Sequence, residues 1–518
     1  MEPLFLALDQ GTQSARAMLF DAAGNLVAKS QRHIEPYVSP QPGWAEQDAD
    51  YFWEQLGQAC QALWLDHPEL KSRVAGVSLT TQRASVVCLD ANRKPLRPAI
   101  IWLDQRRTTT PPVLPLWLSA PVKVLGQGET LRQFQAKAEC NWLADDEPEI
   151  WSKTRFFVLL SGYLNYRLCG ELKDCTAAQV GYIPYDFKRQ QWAAGHDLKW
   201  KALRLTREQL PTLVAPGKPL GAISASASRH TGIPEGLPLI ASGADKACEV
   251  LGAGAFDPQV GNLSYGTTAT FNTCNARYVV PIPFVPAYGA AAPNRYNSEI
   301  IVQRGYWMVN WFKREFAREE VHRAEQLGVS PESLFEAFLD ETPPGAMGLT
   351  LQPFWNPGVR IPGPEAKGAI VGFGDVHTRA HLYRAIIEGI AYALREGKER
   401  LEKRNGVPVS HLKVSGGGSQ SDAIMQITAD IFGLPAERPH TSETSGLGAA
   451  INVAVALGVH PDHHRAVAAM TRPGARFEPR REHVRTYDRL YRQVYQRLYP
   501  RLAPLYRSIR KITGYPAR

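Results

Sequence analysis

A chain of 518 residues is too long for one ordinary hydrophobic core, so two large domains are expected. With 21% charged and 44% apolar residues it has the composition of a soluble globular protein, which excludes a disordered chain and a membrane-embedded one. The net charge of +9 suits an anionic ligand, but it suits nucleic acid equally, so its location decides. Much of the excess lies between Arg472 and Arg518, where Tyr487, Leu490, Tyr491, Val494, Tyr495 and Leu498 recur at helical spacing among arginines. A packed amphipathic helix with a solvated basic face accounts for that pattern, and neither a nucleic-acid nor a membrane partner is expected. No apolar run reaches bilayer-spanning length, and Met1-Glu2-Pro3-Leu4 lacks the basic start of a signal peptide, so a cytoplasmic location is expected. The seven cysteines are scattered, with no Cys-x-x-Cys, and read as reduced core residues.

In chain order, Leu4 to Phe20 predicts two strands joined by a polar turn, Asp9-Gln10-Gly11-Thr12-Gln13-Ser14. Gly11 lets the backbone turn tightly and approach a ligand; Thr12, Gln13 and Ser14 offer donors to phosphate oxygens, and Asp9 offers a carboxylate for Mg²⁺ or its water. Taken alone, the stretch is equally an ordinary hairpin. Leu26 to Gln31 predicts a third strand, and Asp48 a cap for a helix with Tyr51, Phe52, Leu56 and Cys60 on its apolar face. Strands follow at Val74 to Leu79 and Val86 to Asp90. Polar clusters close apolar strands at Gln82-Arg83 and at Trp102-Leu103-Asp104, where α/β proteins place ligands. Gln82, Arg83 and Asp104 are therefore candidates for gripping a hydroxylated substrate, with rim ion pairs as the alternative.

Residues Phe134 to Leu168 read as helices, with Phe156 to Leu168 a strongly apolar one, and a looser region follows to about Pro234. Pro238 to Ser242 reads as a buried strand opening into Gly243-Ala244-Asp245-Lys246. Asp245 is placed to take a proton from a hydroxyl, or merely to cap the helix that follows. Asn262 to Thr273 repeats the first pattern, a Gly266-Thr267-Thr268 turn between two β-prone runs. Leu382, Ile386, Ile390, Ala393 and Leu394 mark a long helix. His411 to Ser415 then runs into Gly416-Gly417-Gly418, bare backbone suited to a flat or anionic ligand before a helix carrying Ile424, Ile427 and Ile431. Gly446-Leu447-Gly448 allows a further helix to pack closely.

The order of these landmarks resembles the FGGY carbohydrate kinases of the actin-like ATPase superfamily, over essentially the whole chain. The matching pieces are DQGTQSARA (Asp9 to Ala17), PGWAEQD (Pro42 to Asp48), IIWLDQRR (Ile100 to Arg107), GADKA (Gly243 to Ala247), LSYGTTA (Leu263 to Ala269), the block from Gly368 to Arg395, and SGGGSQSD…QITADIFGLP (Ser415 to Pro435). The resemblance implies an α/β fold of two ribonuclease-H-like domains around a cleft, here 1–242 with the substrate and first phosphate turn and 243–518 with the nucleotide. It implies ATP and Mg²⁺ as cofactors, a small sugar or polyol as partner, and a homodimer, dimers being common among relatives.

The resemblance also assigns roles. Asp245 matches the catalytic base and, with Asp9, the metal-associated carboxylates. Gly11, Thr12, Gln13, Ser14 and Arg16 fall on the first ATP-binding turn, Gly266, Thr267 and Thr268 on the second, and Gly417, Gly418 and Ser421 on the adenosine side. Gln82, Arg83, Trp102, Asp104, Asp245 and Lys246 are the implied substrate residues. Glycerol kinases carry Gln-Arg-Glu where this chain has Gln82-Arg83-Ala84, while xylulokinases share the pattern of Trp102, Asp104 and Arg106 but carry Gln-Met-His instead of Gln82-Arg83-Ala84. A pentulose is favoured, with glycerol or another sugar alcohol as the alternative, and a nucleotide-binding sensor or ATPase without sugar chemistry as the competing class.

Overall fold

The computed structural model describes residues 2–115, 128–283, 285–358 and 362–515. They form two compact units: the first comprises Met1–Phe256, Asn275–Asn297 and Glu443–Arg472, the second Asp257–Cys274, Ser298–Ser442 and Pro473–Arg518. The helix that opens at Asp245 belongs to the first unit.

The sheet of the first unit is built from β1 (Leu4–Gln10), β2 (Ser14–Phe20), β3 (Leu26–His33), β4 (Val74–Thr81), β5 (Pro219–Ala222) and β6 (Pro238–Ala244), in the order β5-β6-β4-β1-β2-β3. β1, β2 and β3 form an antiparallel meander, β1, β4 and β6 run parallel, and β5 is an antiparallel edge. Every residue of β1 is buried. Leu4, Leu6 and Leu8 pack with Phe52, Leu56 and Leu63 of the helix Ala49–Asp66, whose start Asp48 caps by accepting from the Asp50 and Tyr51 amides. Helix Thr444–Ala456 lies against β1, β4 and β6. A sheet covered on both faces needs near-continuous apolar strands, which is what Leu4 to Leu8 supplies.

The second unit repeats the plan. β7 (Val260–Tyr265), β8 (Ala269–Asn275), β9 (Tyr296–Val302), β10 (His411–Ser415), β11 (Ala436–Pro439) and β12 (Pro473–Phe477) follow the order β9-β8-β7-β10-β11-β12. β7 and β8 form an antiparallel hairpin, β7, β10 and β11 run parallel, and β12 is again an antiparallel edge. Strand for strand this matches the first unit. The long helix expected around Ile386 spans Arg379–Asn405, and Tyr487, Tyr491 and Tyr495 are buried along the C-terminal helical segments, with arginines outside. All seven cysteines are free, and no described helix is long and apolar enough to cross a membrane.

One expectation is corrected. Phe156–Leu159 is a strand, and the helix begins only at Leu160. Phe156, Phe157 and Val158 are aromatic or β-branched and pair antiparallel with Val86–Leu89 in a small four-stranded sheet. The continuous apolar run hid this switch, because periodicity alone cannot separate a buried strand from a buried helix.

Gly252 and Gly448 let helices Asp245–Gly252 and Thr444–Ala456 approach backbone to backbone. A Cβ at Gly448 would stand 1.9 Å from the Cys248 carbonyl oxygen, and one at Gly252 would stand 2.0 Å from that of Thr444. Gly448→Ala is expected to destabilise the fold by about 1–3 kcal/mol, read as a lowered thermal midpoint. Gly195→Ala, where a Cβ meets nothing within 4 Å, should leave the midpoint in place; equal midpoints for the two variants would contradict the close contact.

Candidate active site

Register places the candidate residues of the first unit along one edge. Asp9 of β1 pairs with Thr80 and Gln10 with Thr81; Gly243 and Ala244 of β6 pair with the same two threonines from the other side. The carboxyl ends of three parallel strands are therefore level, with Gln82 and Asp245 just beyond the ends of β4 and β6 and Asp9 the last residue but one of β1, two register positions earlier. With strands about 4.8 Å apart and about 3.3 Å of rise per residue, the Asp9 and Asp245 backbones stand roughly 12 Å from each other across β4.

Asp9 is buried and accepts from Arg16 at 3.0 Å, and Arg16 also reaches Glu443 at 3.8 Å. Burial pushes the Asp9 carboxyl up to about 7; Arg16 pulls it down, while Asp245 and Glu443 push it further up. Asp245 is the first residue of its helix. The N-cap is Ala244, and the Asp245 carboxylate accepts from the Lys246 amide at 2.7 Å. Asp245 is thus not the N-cap residue, and its carboxylate takes one of the free amides of the first turn. Burial raises its pKa above the ordinary carboxylate value, against the pull of Lys246 and Arg83. The Lys246 ammonium is itself held by Glu249 at 2.7 Å.

The first turn is tied to the substrate candidates. Thr12 donates its hydroxyl to Gln82 Oε1 at 2.7 Å and accepts the Trp102 indole N–H at 2.9 Å. With that proton engaged, what Thr12 has left for a phosphate is its backbone N–H. Gln82 is 3% exposed and its Nε2 amide has no partner among the described residues, a buried donor in want of an acceptor. The Gly11 amide donates to the Ser14 carbonyl at 2.9 Å, closing the turn, and Gln13 is exposed beyond it. Arg83 lies over the Tyr288 ring, 5.4 Å from its centroid, and Ala84 takes a φ of 57° beside it.

Asp104 is differently employed. Its carboxylate oxygens accept from the Ala45 amide at 2.7 Å and, within 2.9 Å, from the Arg106 amide and guanidinium. Four donors occupy the four lone-pair positions of a carboxylate. Arg106 is in turn bonded to Glu46 at 2.7 Å and stacked against Trp44 and Trp142, at 4.0 and 4.5 Å. In this arrangement Asp104 holds the loop that presents the exposed Trp102. The Arg106–Asp104 pair, two residues apart, is the ion-pair alternative for Asp104, whereas the contacts of Arg106 with Glu46 and of Glu443 with Arg16 escape sequence reasoning because the partners are distant along the chain.

In the second unit, β7 and β10 run in register from Val260–His411 to Ser264–Ser415, so the turn Gly266-Thr267-Thr268 and the triple glycine lie at the same edge. The Gly266 and Thr267 carbonyls accept from the Tyr306 and Trp307 amides, and Thr268 donates to the Gln303 carbonyl, leaving Thr267 exposed at the tip. Gly416 adopts a φ of 85° with its Cβ position 2.8 Å from Tyr265 backbone, and a Cβ at Gly418 would strike the Tyr306 ring at 2.3 Å. At Gly417 a Cβ would meet nothing within 4 Å, so that face of the backbone is open. Ser421 caps the helix Asp422–Phe432 by accepting from the Ile424 amide.

Mg²⁺ fits the Asp9 and Asp245 pair, because a cation offsets both the burial and the mutual repulsion that raise Asp9. Among the described residues no group of three or more His, Cys, Asp or Glu converges, so the remaining ligands would be phosphate oxygens and water. The raised Asp9 makes a pH signature. Between about pH 4 and 7 the folded chain retains a proton that the unfolded chain has lost, so this group lowers stability as pH rises through that window. Asp9→Asn should therefore melt higher than the parent at pH 8, by at most about 4 kcal/mol, with the gap closing toward pH 5. A gap independent of pH would contradict the desolvated state of Asp9.

The N-terminal domain of the FGGY family of carbohydrate kinases matches residues 4–252, and the C-terminal domain of that family matches residues 261–457. The chain is 30% identical to the uncharacterized sugar kinase YgcE of Escherichia coli, over 93% of this chain and 90% of that protein. It is 28% identical to a xylulose kinase of Lactococcus lactis, covering 88% of each, and 28% identical to a glycerol kinase of Dechloromonas aromatica, covering 92% and 93%. Its fold superposes on the crystal structure of xylulose kinase from Rhodospirillum rubrum with a TM-score of 0.82 at 26% identity, over 97% of this chain and all of that one. With both domain matches in order along the sequence, the chain belongs to the FGGY family of carbohydrate kinases.

Proposed function

We propose that this kinase transfers the γ-phosphoryl group of ATP to a hydroxyl of a small polyhydroxylated acceptor, with a pentulose of the xylulose or ribulose type favoured and glycerol or another sugar alcohol as the alternative. The observation that carries the reading is Asp245, a desolvated carboxylate just beyond the end of β6, within the electrostatic reach of Asp9 and under the influence of Arg83. A nucleotide sensor has no need of a carboxylate at the acceptor position. A carboxylate raised toward neutrality is a better proton acceptor than an exposed one, and such a base contributes ~10²–10⁴-fold.

The division of labour follows from the chemistry. Phosphoryl transfer asks the protein mainly to position the groups and neutralise charge. In the first unit, the Gln82 amide and Arg83 would take acceptor oxygens, the Trp102 ring would pack against the carbon chain, and Asp245 would accept the hydroxyl proton. Asp104 would act by holding Trp102 in place, and Lys246 by favouring the ionised form of Asp245. The Gly11 to Ser14 turn and Arg16 would face phosphate. In the second unit, Gly266, Thr267 and Thr268 would supply the other phosphate turn, and Gly417 and Gly418 the bare backbone for adenosine, with Ser421 fixing the helix behind them. Asp9 and Asp245 would hold Mg²⁺, the usual metal of this family, which supplies charge neutralisation on the phosphates. Ala84 supports the pentulose over glycerol, since no carboxylate follows Gln82-Arg83.

The test is ADP release from Mg²⁺-ATP with a panel of pentuloses, pentitols and glycerol against a blank without acceptor. Stimulation of at least tenfold by a pentulose is expected. Stimulation by glycerol alone would move the assignment to the alternative, and a flat panel would contradict the acceptor class.

A further inference from the structure

We infer that the Thr12 hydroxyl, although it lies on the turn proposed to face phosphate, is a positioning group for the acceptor: it fixes Gln82 so that the amide N–H is presented to an acceptor oxygen. The inference rests on the kinase reading of this site. Thr12 is the middle of three groups joined by short bonds. The Trp102 indole N–H donates to Thr12 Oγ1 at 2.9 Å, and Thr12 Oγ1 donates to Gln82 Oε1 at 2.7 Å. An indole nitrogen can only donate and a hydroxyl has a single proton, so the relay runs from Trp102 through Thr12 to Gln82. A phosphate oxygen also calls for a donor, and in this arrangement the hydroxyl has no proton left to give. All three residues lie within the first unit.

The far end of the relay is what points to a ligand. Gln82 is 3% exposed, and with Oε1 taken by Thr12 its Nε2 is left without a partner among the described residues. Gln10 Oε1, buried at the end of β1, does not take that amide, since it is itself without a partner among those residues. A buried donor left unbonded is costly, and an oxygen of the acceptor satisfies it. Thr12 is the fixed member of the three. The Gly11 amide donates to the Ser14 carbonyl at 2.9 Å and the Ile34 amide to the Gln13 carbonyl at 2.9 Å, so the turn is held on both sides of Thr12. Gln82 is tied at its backbone, whose amide donates to the Gln10 carbonyl at 2.8 Å, while Thr12 orients its side chain. Without the hydroxyl, Gln82 Oε1 loses this donor and the side-chain amide is free to turn over, presenting its oxygen in place of its N–H. A site that bonds a substrate oxygen through one oriented donor loses discrimination when that donor is misplaced.

Steady-state kinetics of the parent, Thr12→Val and Thr12→Ser test this, on whichever of the pentuloses, pentitols and glycerol stimulates the parent most, with Mg²⁺-ATP varied separately. Thr12→Val keeps the shape and removes the hydroxyl. KM for the acceptor should rise about 10–100-fold, with kcat falling far less and KM for ATP within a few-fold of the parent. Thr12→Ser, which keeps the hydroxyl, should recover most of that loss. In a Gln82→Ala background, Thr12→Val should cost less than about threefold more, because both changes remove one interaction. A Thr12→Val enzyme with a raised KM for ATP and an unchanged KM for the acceptor would overturn the inference. So would a loss that Thr12→Ser does not recover, or one that multiplies with that of Gln82→Ala; each of these leaves the kinase reading intact. A parent that phosphorylates none of the compounds removes the kinase reading and this inference together.

Discussion

Everything in the first unit depends on three parallel strands ending level. β1, β4 and β6 are held in register through Thr80 and Thr81, and this alone brings Asp9, Gln82 and Asp245 together from positions up to 236 residues apart. The apolar continuity of β1 and the burial of both sheet faces make that register expensive to change, since a one-residue slip would turn every side chain to the opposite face. Rigidity of the sheet is therefore what lets two carboxylates be kept near each other in a desolvated edge. The second unit applies the same constraint to β7 and β10, and there it aligns a Thr-rich turn with bare glycine backbone.

The loop that carries Trp102 is fixed by charge. Arg106, sandwiched by Trp44 and Trp142 and bonded to Asp104 and Glu46, holds the segment that exposes Trp102, while Thr12 ties Trp102 back to Gln82. Breaking such a buried pair leaves an uncompensated charge, so the segment has little freedom to drift. The electrostatics of the edge run the other way. Asp9 and Asp245 are each held above the ordinary carboxylate range, a state that a bound cation relieves.

Much of this was legible in the sequence because it is local. The two hairpin turns, the Asp48 cap, the strand before Asp245 and the triple glycine each announce themselves within about ten residues, and the family resemblance follows from their order. What stayed hidden depends on distant contacts. Nothing near Glu443 points to Arg16, and nothing near Asp104 points to the Ala45 amide, although its ion pair with Arg106 lies within the same short motif. The switch from strand to helix at Leu160 was obscured by an unbroken apolar run.

The most direct measurement of the central claim is phosphoryl transfer by Asp245→Asn beside equilibrium binding of Mg²⁺-ATP to the same variant. The account predicts turnover reduced by ~10²–10⁴-fold with nucleotide affinity within a few-fold of the parent. Near-normal turnover with the acceptor that the parent prefers would contradict it, because the proton of the attacking hydroxyl would then have another destination.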